Sequence, residues 1–170
     1  MNSMMPNGQS VRQPIAIKDH VARWSPFVLP RNAEWINEAT TRSVTQMMQV
    51  YDITGGVVSG DELSGLIRGP AGQPISLIAR WIVNRQVVSI PWRSQTLLPL
   101  FQFDLHGSSL QPAVERVVAE LTGVFDDLEL AIWFAQPNTW LDGVAPVHVL
   151  SHDVFAVLEA ARADRFVATG

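Results

Sequence analysis

His148 and His152 stand four residues apart, the spacing that sets two metal ligands on one face of a helix. Ser151 lies between them and reads as a helix N-cap, which assigns the two histidines to different elements. No acid follows the first histidine as a zinc protease would need. Ser151, His152 and Asp153 spell a nucleophile, a base and an acid, but three consecutive side chains diverge and cannot close a triad. Capping accounts for Ser151 and Asp153 instead. Asp126, Asp127 and Glu129 could do carboxylate chemistry. They open a helix, where solvated acids are ordinary partners of the helix dipole. The stretch GGVVSGDELSG lacks the Lys-Ser/Thr pair of a phosphate loop, so Gly55, Gly56 and Gly60 read as turn residues. The chain has no cysteine, which excludes disulfides and thiolate metal sites. The expectation is a protein that is not an enzyme, with no catalytic residue, no cofactor and no metal.

Arginine is the other group with chemical use. From Leu63 to Phe103 the charged residues are Arg68, Arg80, Arg85 and Arg93, with no acid among them. From Asp104 onward there are ten acids and three arginines. A basic middle and an acidic end suggest two separate jobs. The basic part also has the order of a small winged helix-turn-helix: a capped helix, a turn, a second helix, then a β-wing. The second helix would carry Arg80, Asn84 and Arg85 to phosphate or base edges, and Arg93 would ride in the wing. A net charge of −4 weighs against DNA affinity, which grows by neutralising phosphates.

The elements that position these groups follow from periodicity and caps. RNAEWINEATTRSVTQMMQVYD reads as a helix with Pro30 at its start, Trp35, Ala39, Val44, Met47, Met48 and Tyr51 along one stripe, and Gly55-Gly56 as its stop. Ser59 and Glu62 have capping-box spacing at the head of the next helix. PISLIARWIVNRQ should be a third, with Ile75, Ile78, Ala79 and Ile82 turned inward. VVSI and TLLPLFQFD form a short β-hairpin around PWRSQ, with Pro99 at an edge or bulge. SLQPAVERVVAELTGV, DDLELAIWFAQ and HDVFAVLEAARADRF are helical, the first burying Ala113, Val117, Val118 and Leu121 and the last capped by Ser151. The fold class is mainly α: a winged helix-turn-helix-like unit with one short hairpin, followed by a C-terminal helical bundle. The organisation expected is a flexible tail at 1–26, an N-terminal helix at 27–56 that could serve dimerisation, the helix–wing unit at 57–104 and the C-terminal domain at 105–170.

The densest pattern is WFAQPNTWLDGVAPVHVL, from Trp133 to Leu150. Pro137 stops a helix, Asn138 starts a turn, Leu141 plugs back, Gly143 permits a sharp reversal and Pro146 opens the next helix. Residues 125–162 resemble the toxin-binding domain of the Xre/MbcA/ParS antitoxins. The likeness rests on Trp133, Phe134, Pro137, Asn138, Leu141, Gly143, Pro146, Leu150, Val157, Leu158, Ala160 and Ala161. Leu98 to Asp104, LPLFQFD, resembles a Pro-x-Phe-Gln-Phe segment that precedes this domain in a subset of these proteins, which extends the likeness over about residues 57–165. The turn departs from the family pattern at Asp142 and Val144, and the first 55 residues match nothing in it. The resemblance implies a small helical protein that dimerises and pairs with a RES-type, NAD-consuming toxin, whose active-site entrance the antitoxin's C-terminal segment covers. It also implies an N-terminal part that often binds operator DNA. The matching surface here would be the last helix, with Val154, Val157, Leu158, Ala161, Arg162 and Arg165 facing the partner.

Composition leaves two readings of the apolar content open. Hydrophobic residues make up 47% and charged residues 16%, a low charged share that fits either a compact core or a subunit covered by a partner. No apolar run approaches the ~18 residues of a membrane span, and the polar N-terminus has no signal-peptide core. The expectation is a cytoplasmic, non-membrane, antitoxin-like homo-oligomer that holds a protein partner. The alternatives are a DNA-binding regulator using the helix–wing unit, and a small-ligand binder or enzyme using the Trp-rich corner.

Overall fold

Residues 38–67 and 73–170 are described by a computed structural model of the chain. Expectations for the tail, Pro30, Trp35 and the loop at 68–72 lie outside these residues. Helix α1 (Glu38–Asp52) turns Val44, Met47 and Tyr51 inward, the inner part of the expected stripe. It ends where Gly55 and Gly56 take positive φ of 108° and 86°, a conformation that costs glycine little. These three residues are consumed by the chain's own core. The buried Tyr51 hydroxyl donates to the Ala131 carbonyl, and burial pushes the phenol's pKa far up.

Strand β1 (Val57–Ser59) leads into helix α2 (Gly60–Leu66), with the capping box between Ser59 and Glu62 in place. Helix α3 (Pro74–Val83) follows, then strands β2 (Ile90–Trp92) and β3 (Gln95–Pro99). The hairpin turns through Arg93, at φ 53°, and Ser94. The sheet is antiparallel in the order β1-β3-β2, so the hairpin gains a third strand that the Gly-rich context of β1 concealed. Pro91 sits on edge strand β2, as a residue without an N–H should. Pro99 is not at an edge. It ends central strand β3 opposite Val57, and the chain leaves the sheet there for a 3-10 turn at Leu100–Gln102. A two-stranded ribbon, β4 (Phe103–Asp104) and β5 (Ser109–Leu110), precedes the remaining helices.

These helices are α4 (Pro112–Leu121), α5 (Asp127–Ala135), α6 (Pro146–Val149) and α7 (Val154–Thr169), with a 3-10 turn at Thr139–Leu141 between α5 and α6. The architecture is mainly α with short strands in two small sheets, as expected. One expected face rotates, and another keeps Val117, Val118 and Leu121 while exchanging Ala113 for Val114. Helix α3 buries Ile78 and Trp81 while Ile75 and Ala79 are exposed, because its cover comes from α2 and the sheet on one side only. Helix α4 buries Val114, Val117, Val118 and Leu121, and Ala113 is only half-buried. Ser151 is not the N-cap of α7. Val149 accepts the His152 and Asp153 amides in a tight turn, and the Asp153 carboxylate then caps Ala156 at 2.9 Å.

There are two hydrophobic clusters. The larger joins α1, α4, α5, α6 and α7 with Val88 and Ile90. The smaller gathers Leu63, Ile67, Ile78, Trp81, Val87, Leu98 and Phe103 of the helix–wing unit with Leu110 of β5. Val87 and Val88 point into different clusters, as alternate residues of an extended chain do.

Candidate functional site

The Pro137-Asn138 corner is built around a carboxylate from the far end of the chain. Asp164, on the inner face of α7, is only 3% exposed. It accepts from Trp133 Nε1 and Asn138 Nδ2 at 2.8 Å each, and from Trp140 Nε1 at 2.9 Å. Charged acceptors make stronger bonds than neutral ones, so these contacts fasten α7 to both sides of the corner. Asn138 works in three directions. Its Oδ1 accepts the Trp140 amide at 2.8 Å, its backbone carbonyl accepts the Leu141 and Gly143 amides, and its own amide donates to Val144.

The remaining corner residues behave as their types suggest. Leu141 is buried and Pro146 opens α6. Asp142 takes the left-handed conformation at φ 54° and Gly143 follows at 80°. Trp133 meets Phe134 edge-on at 5.0 Å, and Phe134 continues through Phe101 to Tyr51. Trp140 is half exposed at 49%. The corner is therefore packed, with one indole edge reaching solvent.

The residues expected to face a partner separate into two groups. Val157 and Ala161 are fully buried and hold α7 to the core, so they form no part of a docking face. Val154 and Leu158 are half-buried on the flank toward α4, and Arg162 and Arg165 are exposed. With Arg116, Ala119 and Glu120 of α4, Leu158, Arg162 and Arg165 line a groove of about 350 Å³. Glu120 pairs with both Arg162 and Arg165, and Arg162 also pairs with Glu159 at 2.7 Å. The Glu159 and Glu120 carboxylates hold the Arg162 pKa above its ordinary value.

The residues expected to touch DNA also separate. Arg85 is half-buried and committed to contacts within the molecule. It adopts φ 53°, pairs with Asp127 at 3.0 Å, and donates to the Thr122 and Phe125 carbonyls at 2.8 and 2.5 Å. It clamps the end of α3 to the α4–α5 turn. Arg80 and Asn84 are exposed, but Ile75, Ala79 and Val83 share the exposed side of α3 with them. Arg93 lies over the Trp92 ring at 5.6 Å.

His148 and His152 fall on different elements, and His148 Nε2 lies 3.3 Å from the Val50 carbonyl. Asp126 and Glu129 form the capping box of α5. Among the described residues no cluster of His, Asp or Glu has metal-site geometry, and no helix is long and apolar enough to cross a membrane. A cleft of about 600 Å³ with a mostly apolar floor lies between the end of α1 and α6, lined in part by Ile53, Phe101, Val147 and His148.

Sequence reasoning missed two polar residues that organise these regions. Asp164 continues the stripe Val157, Ala160, Ala161 at helical spacing, so an acid on an inward face opposite two tryptophans was the available signal. Gln102 offered none. No family model, curated protein or solved structure matches the chain.

Proposed function

We propose that this chain is a non-catalytic, antitoxin-like binding protein that holds a partner protein against the α4–α7 groove. The supporting observation is the Asp164 anchor, which fixes α7 as a preformed surface bearing Arg162, Arg165 and Leu158 beside Arg116. A helix already locked in place loses little conformational freedom when a partner arrives. Arg162 and Arg165 are already paired with Glu120 and Glu159, but with Arg116 the three arginines outnumber those two acids, which suits a partner that presents carboxylates. The antitoxin resemblance makes that partner a RES-type, NAD-consuming toxin.

The test is co-expression with the product of the adjacent gene. The expected result is a stable complex in which NAD consumption by that product is suppressed. Arg116→Glu with Arg165→Ala should abolish the complex, with the thermal melt lowered only by the loss of the exposed pair between Arg165 and Glu120. A neighbouring product that neither co-purifies nor consumes NAD overturns the reading.

DNA contact through the helix–wing unit is less well supported, because Arg85 is spent on internal contacts and the exposed side of α3 is largely apolar.

A further inference from the structure

The aromatic row that starts in the packed corner runs from Trp133 through Phe134 to Phe101 and ends at the cleft between α1 and α6. The Phe101 ring is stacked on Tyr51 at 5.7 Å and tilted against Phe134 at 5.3 Å, which holds it in place. Val114, Val147 and Leu150, all buried in the larger cluster, complete the floor. The floor is therefore preformed, and a volume of about 600 Å³ lies within the range of sites that take small organic molecules. Ile53, 81% exposed, stands at the rim.

The polar part of the lining holds no Asp, Glu, Lys or Arg. Three of its side chains keep hydrogen-bonding capacity that nothing among the described residues uses. Gln111 stands at the N-cap of α4, but its side chain caps nothing and its amide is left whole. The Ser151 hydroxyl has no partner, because Asp153 takes the cap of α7. A carbonyl only accepts, so His148 Nε2, 3.3 Å from the Val50 oxygen, is the donor there. That fixes the neutral tautomer and leaves Nδ1 as an acceptor. The Thr54 proton, by contrast, is spent on the Tyr51 carbonyl at 3.0 Å.

We infer that this cleft binds a small neutral aromatic molecule that carries an amide or hydroxyl group. The ring lies on Phe101 and the polar group meets Gln111, Ser151 and His148. A ring on that floor gains apolar burial and aromatic contact. A primary amide offers donors and an acceptor together, and these three side chains can return both. A carboxylate would enter without a charged side chain to replace its hydration. The cleft shares no lining residue with the α4–α7 groove, so this site stands or falls apart from toxin capture.

Methyl NMR on the full chain, titrated with indole-3-carboxamide or with its anionic isostere indole-3-carboxylate, tests the site. The carboxamide should shift the Val114, Val147 and Leu150 methyls and saturate in about the millimolar range. The carboxylate should bind at least about tenfold more weakly. Ala113→Phe sets a ring in the cleft and should abolish the shifts at Val147 and Leu150. Gln111→Leu with Ser151→Ala changes only exposed side chains. This double variant should weaken the carboxamide about tenfold and leave the binding of plain indole unchanged, and it decides alone if Ala113→Phe does not fold. No local shift at the highest soluble concentration overturns the inference. So does a carboxylate that binds as tightly as the carboxamide, or full carboxamide affinity in the double variant.

Discussion

The C-terminal corner and the helix–wing unit solve one problem with different chemistry. Each must hold an irregular stretch of chain against a core, and in each a buried polar side chain acts as the hub. In the corner it is the carboxylate of Asp164, which gathers N–H groups from Trp133, Asn138 and Trp140. In the helix–wing unit it is the amide of Gln102, 1% exposed. Gln102 Oε1 accepts the Val88 amide at 2.7 Å, and its Nε2 donates to the Val88 and Pro99 carbonyls at 2.8 and 2.9 Å. A carboxylate only accepts, so it suits a place where donors converge. An amide does both, so it can stand in for a neighbouring strand. The type of each residue follows from which backbone and side-chain groups were left over.

Removing either hub should test that contrast. Asp164→Ala strands buried indole and amide donors, and urea unfolding should show a loss of about 3–5 kcal/mol. Asp164→Asn retains one acceptor oxygen and should lose less. Gln102→Ala leaves the Val88 amide and carbonyl unpaired and should cost about 2–4 kcal/mol. Equal losses in Asp164→Asn and Asp164→Ala would mean that charge, rather than acceptor geometry, holds the corner.

The next effect concerns the join between the two regions. Arg85→Ala removes a half-exposed ion pair and two bonds to backbone carbonyls, and with solvent screening should cost about 1 kcal/mol. Hydrogen exchange should quicken at the end of α3 and the α4–α5 turn while the corner stays protected. Acceleration at the corner as well would show that the regions open as one unit.

The smallest effect belongs to the α2 cap. Backbone and side-chain hydrogen bonds from Ser59 hold the Glu62 pKa below its ordinary 4.5. A lowered folded pKa means the cap contributes fully above the ordinary value and fades as pH falls through the folded one. An NMR titration should find the Glu62 midpoint depressed, and Ser59→Ala should return it to the ordinary range. An undisturbed midpoint in the native chain would show that the box is not closed in solution.

Much of the local structure was legible in the residues. The Ser59 cap, the helix start at Asp126-Asp127, the Gly55-Gly56 stop, the Asp142-Gly143 reversal and the Pro146 helix start all depend on bonds within a few positions. The faces of α3 and α4 were less so, because periodicity fixes a stripe and not the neighbour that covers it. Strand β1 was hidden for the same reason: Val57–Ser59 is extended because Leu97–Pro99 lies alongside. Val157 and Ala161 carried the spacing of a helical face, but spacing alone could not tell the inward face from the outward one.

The amino-acid order by itself determined the helices, the caps, the turn chemistry and the mainly α class, since these rest on dihedral preference and contacts a few residues apart. Only the tertiary structure decided that Arg85 is a clamp, that Asp164 is the hub of the corner and that Phe101 floors an open cleft. Those assignments depend on which surfaces meet, and burial is a property of the assembled neighbours rather than of any one segment.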